Sequence, residues 1–277
     1  MKKKVLVFGA SGMLGHVVVR YLKETGRYDL IPCSRKVISG EEGVVVDVTD
    51  FNKVSSIIKE HRPDFVINAV GMLVKASSEN PALAILVNSY FPHFLANLGK
   101  QSGFKLIHIS TDCVFSGKTG KYSENSFRDG DLVYDRTKAM GEVVDSRNLT
   151  IRTSIIGPEL NSNGSGLFSW FMRQSGIVNG YANAIWSGVT TLELAKAIDA
   201  AITQDIVGLY QLTMPPISKY DLLLLIKKVW HKSDVEVIPY SDFHCDKSLV
   251  CTRVDFQYEL PKSHEIMLKE LHDWYGN

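Results

Sequence analysis

The sequence lacks the long apolar runs of a membrane protein. Its uninterrupted apolar stretches, such as Leu222 to Ile226, fall far short of the roughly 20 residues that a membrane-spanning helix requires. Near the N-terminus, the apolar segment Val5 to Phe8 is too short for the h-region of a secretory signal and runs directly into glycine. We therefore expect a cytoplasmic protein with no membrane partner.

An excess of charge of either sign is also missing. The 277 residues include 31 Lys and Arg against 30 Asp and Glu, which gives a formal net charge of +1. Proteins that bind nucleic acid through its phosphates present a basic patch or stripe, and none is evident here. The short run Lys2 to Lys4 flanks the first predicted strand. The charge pattern thus predicts no nucleic-acid partner.

Cysteine is scarce, and the spacing of the cysteines does not match a metal site. No two of the four cysteines form a CxxC pair, and no histidine has the spacing of a metal ligand or of a paired base. Dispersed cysteines fit reduced thiols better than a disulfide framework. We therefore expect no metal site. The cysteines are Cys33, Cys113, Cys245 and Cys251.

Short apolar runs alternate with segments of helical length through the first half of the chain. This alternation is typical of βαβ units around a parallel sheet, so we predict an α/β protein with a Rossmann-like, doubly wound parallel sheet. The predicted strands are 4–8, 29–33, 44–47, 65–69, 105–110 and 149–152. The predicted helices are 13–25, 50–61, 82–101, one beginning close to Tyr134, and then 191–203, 218–230 and 264–275.

A glycine-rich loop joins the first predicted strand to the first helix. Glycines at its three fixed positions permit a tight turn, close approach of backbone amides to a pyrophosphate, and close packing of helix on strand. The spacing is GxxGxxG, and its position directly after the strand indicates a dinucleotide site rather than an ordinary turn. The candidate cofactor residues of this loop are Gly9, Ser11, Gly12, Met13, Leu14 and Gly15.

The end of the second predicted strand indicates which dinucleotide is bound. An acidic residue there would bind the ribose 2′-hydroxyl of NAD, whereas this chain has Ser34 and Arg35, which are suited to a 2′-phosphate. The alternative is a solvated turn without a ligand. We predict that NADP(H) is preferred and that NAD(H) remains open.

Tyr134 and Lys138 have the spacing of a proton donor and its activating cation. On a helix, residues four apart share one face, and an adjacent ammonium eases the ionisation of a phenol that alone titrates near 10. Such a pair arises readily by chance, and Tyr258 with Lys262 repeats it. Pro261 makes a continuous helix unlikely at that second pair. Only Tyr134 and Lys138 therefore qualify.

In combination, these motifs resemble the extended branch of the short-chain dehydrogenase/reductase superfamily. The glycine loop, Thr111 and the Tyr134/Lys138 pair follow one another in the order and spacing of that superfamily. More narrowly, the segment 109–117, ISTDCVFSG, and the segment 134–142 are similar to motifs of the dTDP-4-dehydrorhamnose reductase group, as is 152–157. The resemblance implies NADPH-dependent reduction of a nucleotide-linked 4-keto-6-deoxy sugar.

The resemblance also implies roles for individual residues. Tyr134 would be the general acid that protonates the keto oxygen, Lys138 would lower its pKa and bind the nicotinamide ribose, and Thr111 would hydrogen-bond the same oxygen. Asn88 would support the active-site backbone. Further cofactor contacts are implied for Asp47 and Val48 beside the adenine, and for Asn68, Ala69, Val70 and Gly71 along the dinucleotide.

On the substrate side, the resemblance implies contacts from Asp112, Val114 and Phe115 of the active-site segment. Trp186 is a candidate for the substrate-side loop, with packing in the core as the alternative. Arg253 is a candidate diphosphate ligand, with a surface ion pair as the alternative. His108 is expected to be buried within its strand.

A change in the sequence pattern after Gly157-Pro158, to a loop-forming cluster of Asn, Ser and Gly, marks the predicted domain boundary. We assign residues 1–157 to an NADP-binding Rossmann domain that carries the catalytic residues, and 158–277 mainly to a smaller C-terminal substrate-binding lobe. Some C-terminal segments are expected to return to the main domain. A homodimer is compatible with the sequence and is not specified by it.

Three alternatives bear on the reaction. Cys113 stands where related 4,6-dehydratases have a glutamate, which argues against dehydration. A 4-epimerase with retained NAD, or a regulatory subunit that binds NADP without catalysis, remains open. Asp135 stands where the family usually has glycine, so the identity of the sugar is the least secure part of the prediction.

Overall fold

A computed structural model describes residues 2–37, 42–161 and 164–276. The strands of its central sheet are β1 (Lys3–Phe8), β2 (Tyr28–Ser34), β3 (Val44–Val45), β4 (Phe65–Asn68), β5 (Lys105–Thr111), β6 (Leu149–Thr153) and β11 (Gly208–Gln211). These seven strands are parallel and lie in the order β11-β6-β5-β4-β1-β2-β3. The predicted Rossmann-like α/β sheet is confirmed. Its strand order reverses beside β1, where such sheets bind ligands.

Helices form near all seven predicted segments, and two further helices, 74–79 and 167–172, were not predicted. They are α1 (Gly15–Thr25), α2 (Phe51–His61), α3 (Val74–Glu79), α4 (Pro81–Ala84), α5 (Phe91–Ser102), α6 (Val133–Met140), α7 (Leu167–Met172), α8 (Thr191–Gln204), α9 (Lys219–Val229) and α10 (His264–Gly276). Asp50 caps α2 by accepting a hydrogen bond of 2.9 Å from the Lys53 amide.

Side chains of β1 alternate between two cores, one on each face of the sheet. Val5 and Val7 pack in the core that α1 and α8 cover. Leu6 and Phe8 pack in the core that α2 and α5 cover. Because successive residues of a strand point to opposite faces, a strand buried on both faces needs a continuous apolar run. The run VLVF meets that need and fixes β1 at the centre of the molecule.

The continuous helix predicted at 82–101 is wrong in its middle. A π-helical turn, Ile85–Tyr90, separates α4 from α5. Pro92 has no amide hydrogen, so the carbonyl of Asn88 loses its ordinary helical donor. That carbonyl lies so close to Gly141 that a β-carbon there would stand 1.9 Å from it. The break therefore brings the helix against the turn that follows α6.

The C-terminal half both adds small sheets and returns to the main one. Its other strands are β7 (Ile155–Ile156), β8 (Gly176–Tyr181), β9 (Ala184–Trp186), β10 (Val189–Thr190), β12 (Ile217–Ser218), β13 (Val235–Tyr240) and β14 (Cys245–Asp246). They form the sheets β10-β7, β12-β9-β14 and β13-β8, whereas β11 joins the edge of the central sheet. The lobe assigned to 158–277 is thus interleaved with the main sheet, and its substrate-binding role stays a prediction.

Within the described residues, no helix has the length and apolarity needed to cross a membrane. All four cysteines are free thiols.

Candidate active site

The glycine loop forms a tight turn between β1 and α1. Gly9 has a φ of +84°, and its amide and that of Ala10 both donate to the Cys33 carbonyl at 3.0 Å. A β-carbon on Gly15 would stand 2.0 Å from the Gly9 carbonyl oxygen, so the start of α1 can approach the turn only with glycine at this position. The first turn of α1 carries no acidic residue, which leaves its N-terminus suited to an anion.

A cleft of about 450 Å³ opens where β1, β2 and β4 end. Most of the predicted cofactor residues line it together, although they come from the ends of four separate strands, β1 to β4. The predicted residues that line the cleft are Gly9, Ser11, Gly12, Ser34, Arg35, Asp47, Val48, Ala69, Val70 and Gly71. Residues that the sequence did not single out are Cys33, Val46, Thr49, Met72, Leu83 and Val87. Leu83 and Val87 come from α4 and the π-helical turn, whose approach to the cleft depends on tertiary packing.

Besides Tyr134 and Lys138, which are described below, four predicted cofactor residues do not line this cleft. Met13, Leu14 and Gly15 belong to the start of α1, and Leu14 is buried in the core. Asn68 is fully buried at the end of β4. Its side-chain oxygen accepts from the Val70 amide at 3.1 Å, which shapes the turn that lines the cleft. These residues therefore support the cleft, and contact with a cofactor stays a prediction for them.

Arg35 extends from the end of β2 into solvent beside Asp47. Hydrogen bonds from Thr49 hold the pKa of Asp47 below its usual value, and the positive charge of Arg35 adds to this. Arg35 forms no ion pair with any residue that the structure describes. Its guanidinium is therefore available to a phosphate at the edge of the cleft.

The three predicted catalytic residues lie on two adjoining elements. Thr111 ends β5, whereas Tyr134 and Lys138 share one face of α6. The Lys138 ammonium donates a 2.7 Å hydrogen bond to the Ile109 carbonyl, two residues before Thr111. Tyr258 and Lys262, the second pair with this spacing, lie outside any helix. Helix α6 therefore brings only the first pair to the end of β5.

Burial dominates the electrostatics of this centre. It raises the pKa of Tyr134 well above the usual value, with a smaller opposing effect from the Thr111 hydroxyl. It lowers the pKa of Lys138 to about 8, against the opposing charge of Glu142. At neutral pH the phenol is therefore protonated and the ammonium largely so. The Lys138 ammonium donates to the Ile109 carbonyl, and its implied lowering of the Tyr134 pKa stays a prediction.

Asn88 connects the cofactor cleft to the catalytic helix. Its side chain is buried, accepts from the Met72 amide at 2.8 Å and donates to the Met72 carbonyl at 3.1 Å. It also donates to the Thr137 hydroxyl at 3.1 Å. One amide side chain thus fixes α6 relative to the segment after β4, which is the supporting position that the resemblance implied.

Several predicted substrate residues lie in cores. Val114 and Phe115 are fully buried with Tyr122 and Leu249, and Phe115 stacks on Tyr122 at 4.2 Å between ring centres. Trp186 is 5% exposed and packs near His264. Burial favours the core-packing alternative for Trp186, and contact with a substrate stays a prediction for Trp186, Val114 and Phe115. Their burial depends on partners far along the chain, which local sequence does not reveal.

Arg253 forms an ion pair, as in the alternative to diphosphate binding given above. It forms an ion pair with Asp255 and donates to the carbonyls of Val207 and Leu209 at 2.5 and 3.1 Å. Its guanidinium is thereby committed to neighbouring protein atoms. Its contact with a diphosphate stays a prediction.

Asp112 and Asp135 form a buried acidic pair beside Tyr134. Burial raises the pKa of both carboxyls, and Lys247 from the C-terminal half opposes this shift in both. One oxygen of Asp135 has no hydrogen-bond partner among the described residues. A β-carbon on Gly130 would stand 2.6 Å from that of Asp135. The side chain that replaces the usual glycine is thus accommodated by a glycine opposite it.

Comparison with known proteins identifies the family of the chain. The family model described as "RmlD substrate binding domain" matches residues 2–244. The chain belongs to this family. A dTDP-4-dehydrorhamnose reductase of Aggregatibacter actinomycetemcomitans is 28% identical over 236 residues, covering 80% of this chain and 78% of the relative. The spore coat polysaccharide biosynthesis protein SpsK of Bacillus subtilis is 31% identical over 58% of this chain and 56% of its own length.

Solved structures of the RmlD family share the fold. The crystal structure of a hypothetical dTDP-4-dehydrorhamnose reductase from Sulfolobus tokodaii is 28% identical, with a TM-score of 0.77 over 90% of this chain and 92% of that one. The structure of dTDP-4-dehydrorhamnose reductase from Bacillus anthracis in complex with NADP gives 0.85 at 22% identity, over 99% and 100% of the two chains. The latter likeness concerns the fold alone.

Proposed function

We propose that this chain is an NADPH-dependent reductase of a dTDP-linked 4-keto-6-deoxy sugar, with Tyr134 as its general acid. The observation that carries the proposal is the position of Thr111, Tyr134 and Lys138 at the same end of the sheet as the dinucleotide cleft. Relatives named as dTDP-4-dehydrorhamnose reductases supply the substrate class. A cytoplasmic pool of activated sugars would be the source of that substrate.

The cleft residues fit NADPH in chemistry and in order. Backbone amides of the turn at Gly12 and the N-terminus of α1 suit the pyrophosphate, Asp47 suits the adenosine, and Arg35 suits the 2′-phosphate. When bound, NADPH supplies the hydride that a ketone carbon accepts. The relative from Bacillus anthracis that was solved with NADP supports this choice of cofactor.

The side chains of the centre then supply the proton and orient the substrate. Tyr134, kept protonated by burial, donates its phenolic proton to the oxygen of the ketone as negative charge develops there. The Thr111 hydroxyl stabilises the same oxygen, and the Lys138 ammonium stabilises the phenolate that remains. Burial of these groups excludes water, which strengthens each interaction.

A panel of substrates tests the proposal most broadly. NADPH oxidation would be followed with dTDP-, UDP- and GDP-linked 4-keto-6-deoxy sugars, and the proposal predicts turnover with the dTDP sugar above the other two. A 4-epimerase would interconvert two nucleotide sugars with no added cofactor. A regulatory subunit would bind NADPH and turn over none of the panel, and either result would overturn the proposal.

A further inference from the structure

Glu142 is a buried carboxylate directly behind the catalytic groups. It lies in the turn after α6, four residues beyond Lys138, and its side chain is fully buried. Hydrogen bonds and cations nevertheless hold its pKa below the usual value despite the opposing effect of burial, so it carries a full negative charge at neutral pH. A buried charge requires partners, and here all of them come from other elements.

Each oxygen of Glu142 accepts two hydrogen bonds. Oε1 accepts from the Ser110 hydroxyl at 2.7 Å and from Arg152 Nε at 2.8 Å. Oε2 accepts from Arg152 Nη2 at 2.7 Å and from Arg128 Nη1 at 3.0 Å. Ser110 immediately precedes Thr111 on β5. The carboxylate thus joins the strand that carries Thr111 to the end of the helix that carries Tyr134 and Lys138.

Arg152 extends the connection to the segment after Thr111 and to β11. Its guanidinium lies 4.9 Å from the ring centre of Phe115, in the segment that follows Thr111. It also donates to the side-chain oxygen of Gln211 at 3.2 Å, and Gln211 donates in turn to the Tyr122 and Val250 carbonyls at 2.8 Å each. The Glu142–Arg152 pair therefore contacts β5, α6, β11 and the segment after Thr111 together.

We propose that Glu142 is a positioning residue, whose carboxylate, fixed by Arg152, holds Thr111 and Lys138 in register and provides the negative charge that faces the Lys138 ammonium. This inference rests on the function proposed above. It adds that the reaction depends on a group that touches neither substrate nor cofactor. Arg152 would act through Glu142. Ser110, held by Glu142, would fix the position of the neighbouring Thr111.

The charged surroundings of Lys138 make the claim specific. Glu142 opposes the lowering of the Lys138 pKa by burial. His108, on β5, stays neutral because burial and the Lys138 charge lower its pKa. Tyr134 is protonated near neutral pH, and Arg128 and Arg152 are both engaged by Glu142. Glu142, four residues beyond Lys138, is therefore an anion that favours the charged form of Lys138.

Two variants separate positioning from mere structural support. Glu142→Gln keeps the shape and removes the charge, while Ser110→Ala leaves the ion pair intact and removes only the link to β5. Glu193→Gln is the matched control for the first, because Glu193 is a buried carboxylate on α8 that pairs with Lys196. Thr150→Val is the control for the second, because the Thr150 hydroxyl is also buried and, among the described residues, donates to the Val143 carbonyl, away from Thr111.

The Lys138 pKa is measured by NMR in protein with ¹³C-labelled lysine, the signal being assigned by its loss in Lys138→Arg. We expect Glu142→Gln to lower this pKa by about one unit, since removing a nearby anion disfavours the ammonium. In turnover assays, Glu142→Gln and Ser110→Ala should each reduce kcat on the order of tenfold, with the affinity for NADPH unchanged within about twofold. Both control variants should retain the wild-type values.

An unchanged Lys138 pKa in folded Glu142→Gln would overturn the proposal, as would a wild-type kcat in Ser110→Ala. If Glu142→Gln does not fold, the kcat of Ser110→Ala tests the proposal, because that variant keeps the Glu142–Arg152 ion pair. A wild-type protein that is inactive on every substrate would refute the proposed function instead. In that case the NMR measurement still tests whether Glu142 controls the charge on Lys138.

Discussion

At the scale of single residues, burial shifts the ionisable groups of the site towards their neutral forms. It raises the pKa of Tyr134, Asp112 and Asp135 and lowers the pKa of Lys138 and His108. Few full charges therefore remain near the reacting oxygen. The ammonium of Lys138 is the cation that the site can direct at a developing phenolate, so its charge state governs the reaction.

This leads to a prediction for the pH dependence of turnover. Since the pKa of Lys138 is lowered to about 8, the ammonium is lost as the pH rises through that value, and kcat/KM should fall with it. In Lys138→Arg the residual activity should show no such alkaline decline, because a guanidinium keeps its proton. A flat wild-type profile to about pH 9.5 would refute the assigned role.

Arg35 gives a second prediction at this scale. Arg35→Asp should weaken NADPH binding by at least about tenfold, because a charge-assisted contact is replaced by repulsion of the 2′-phosphate. NADH, which lacks that phosphate, should be affected far less. Fluorescence titration with both cofactors measures this. Equal losses for NADPH and NADH would mean that Arg35 does not select between them.

Sequence predicts a residue's role well where that role is local. The Gly9 to Gly15 loop and Arg35 follow directly on strands, so their positions at the cleft could be predicted from spacing alone. Phe115 and Trp186 could not be placed in this way, because distant partners such as Leu249 and His264 determine their burial. The link from Ser110 to Glu142 likewise joins residues 32 apart and has no local signature.

At the scale of elements, the catalytic helix α6 is short and depends on its neighbours for position. It has eight residues and no side-chain cap at its N-terminus. The Asn88 side chain and the Ser89 hydroxyl, which donates to the Thr137 carbonyl at 2.8 Å, attach it to the π-helical turn. The sequence predicted a continuous helix over 82–101, because hydrophobic periodicity does not show that Pro92 removes a helical hydrogen bond.

Replacing Asn88 tests this attachment. Asn88→Ala leaves the half-buried Met72 amide without its acceptor and removes one of the two hydrogen bonds to the Met72 carbonyl, which should cost about 2 kcal/mol and lower the Tm by about 5 °C. Turnover should fall as well, since Met72 lines the cofactor cleft. Asn52→Ala, at an exposed position on α2, is the control and should match the wild type. Unchanged stability in Asn88→Ala would show that α6 is held by other contacts.

At the scale of the whole molecule, the central sheet is assembled from both halves of the chain. Strand β11 completes its edge from beyond residue 157, and Lys219 and Lys247 bring positive charge to the buried Asp112. Alternation of strands and helices was enough to predict the sheet itself. The addition of β11 to this sheet could not be predicted, because it depends on pairing between residues about 60 apart, such as Leu149 with Gly208. A homodimer stays a prediction.

The most direct test of the central claim is NADPH oxidation with dTDP-4-dehydrorhamnose by the wild type and by Tyr134→Phe. The variant keeps the ring and removes only the proton donor, so NADPH should bind with unchanged affinity. We predict turnover by the wild type and a loss of at least about a hundredfold in kcat in the variant. Equal rates for the two proteins would contradict the assignment of Tyr134 as the general acid.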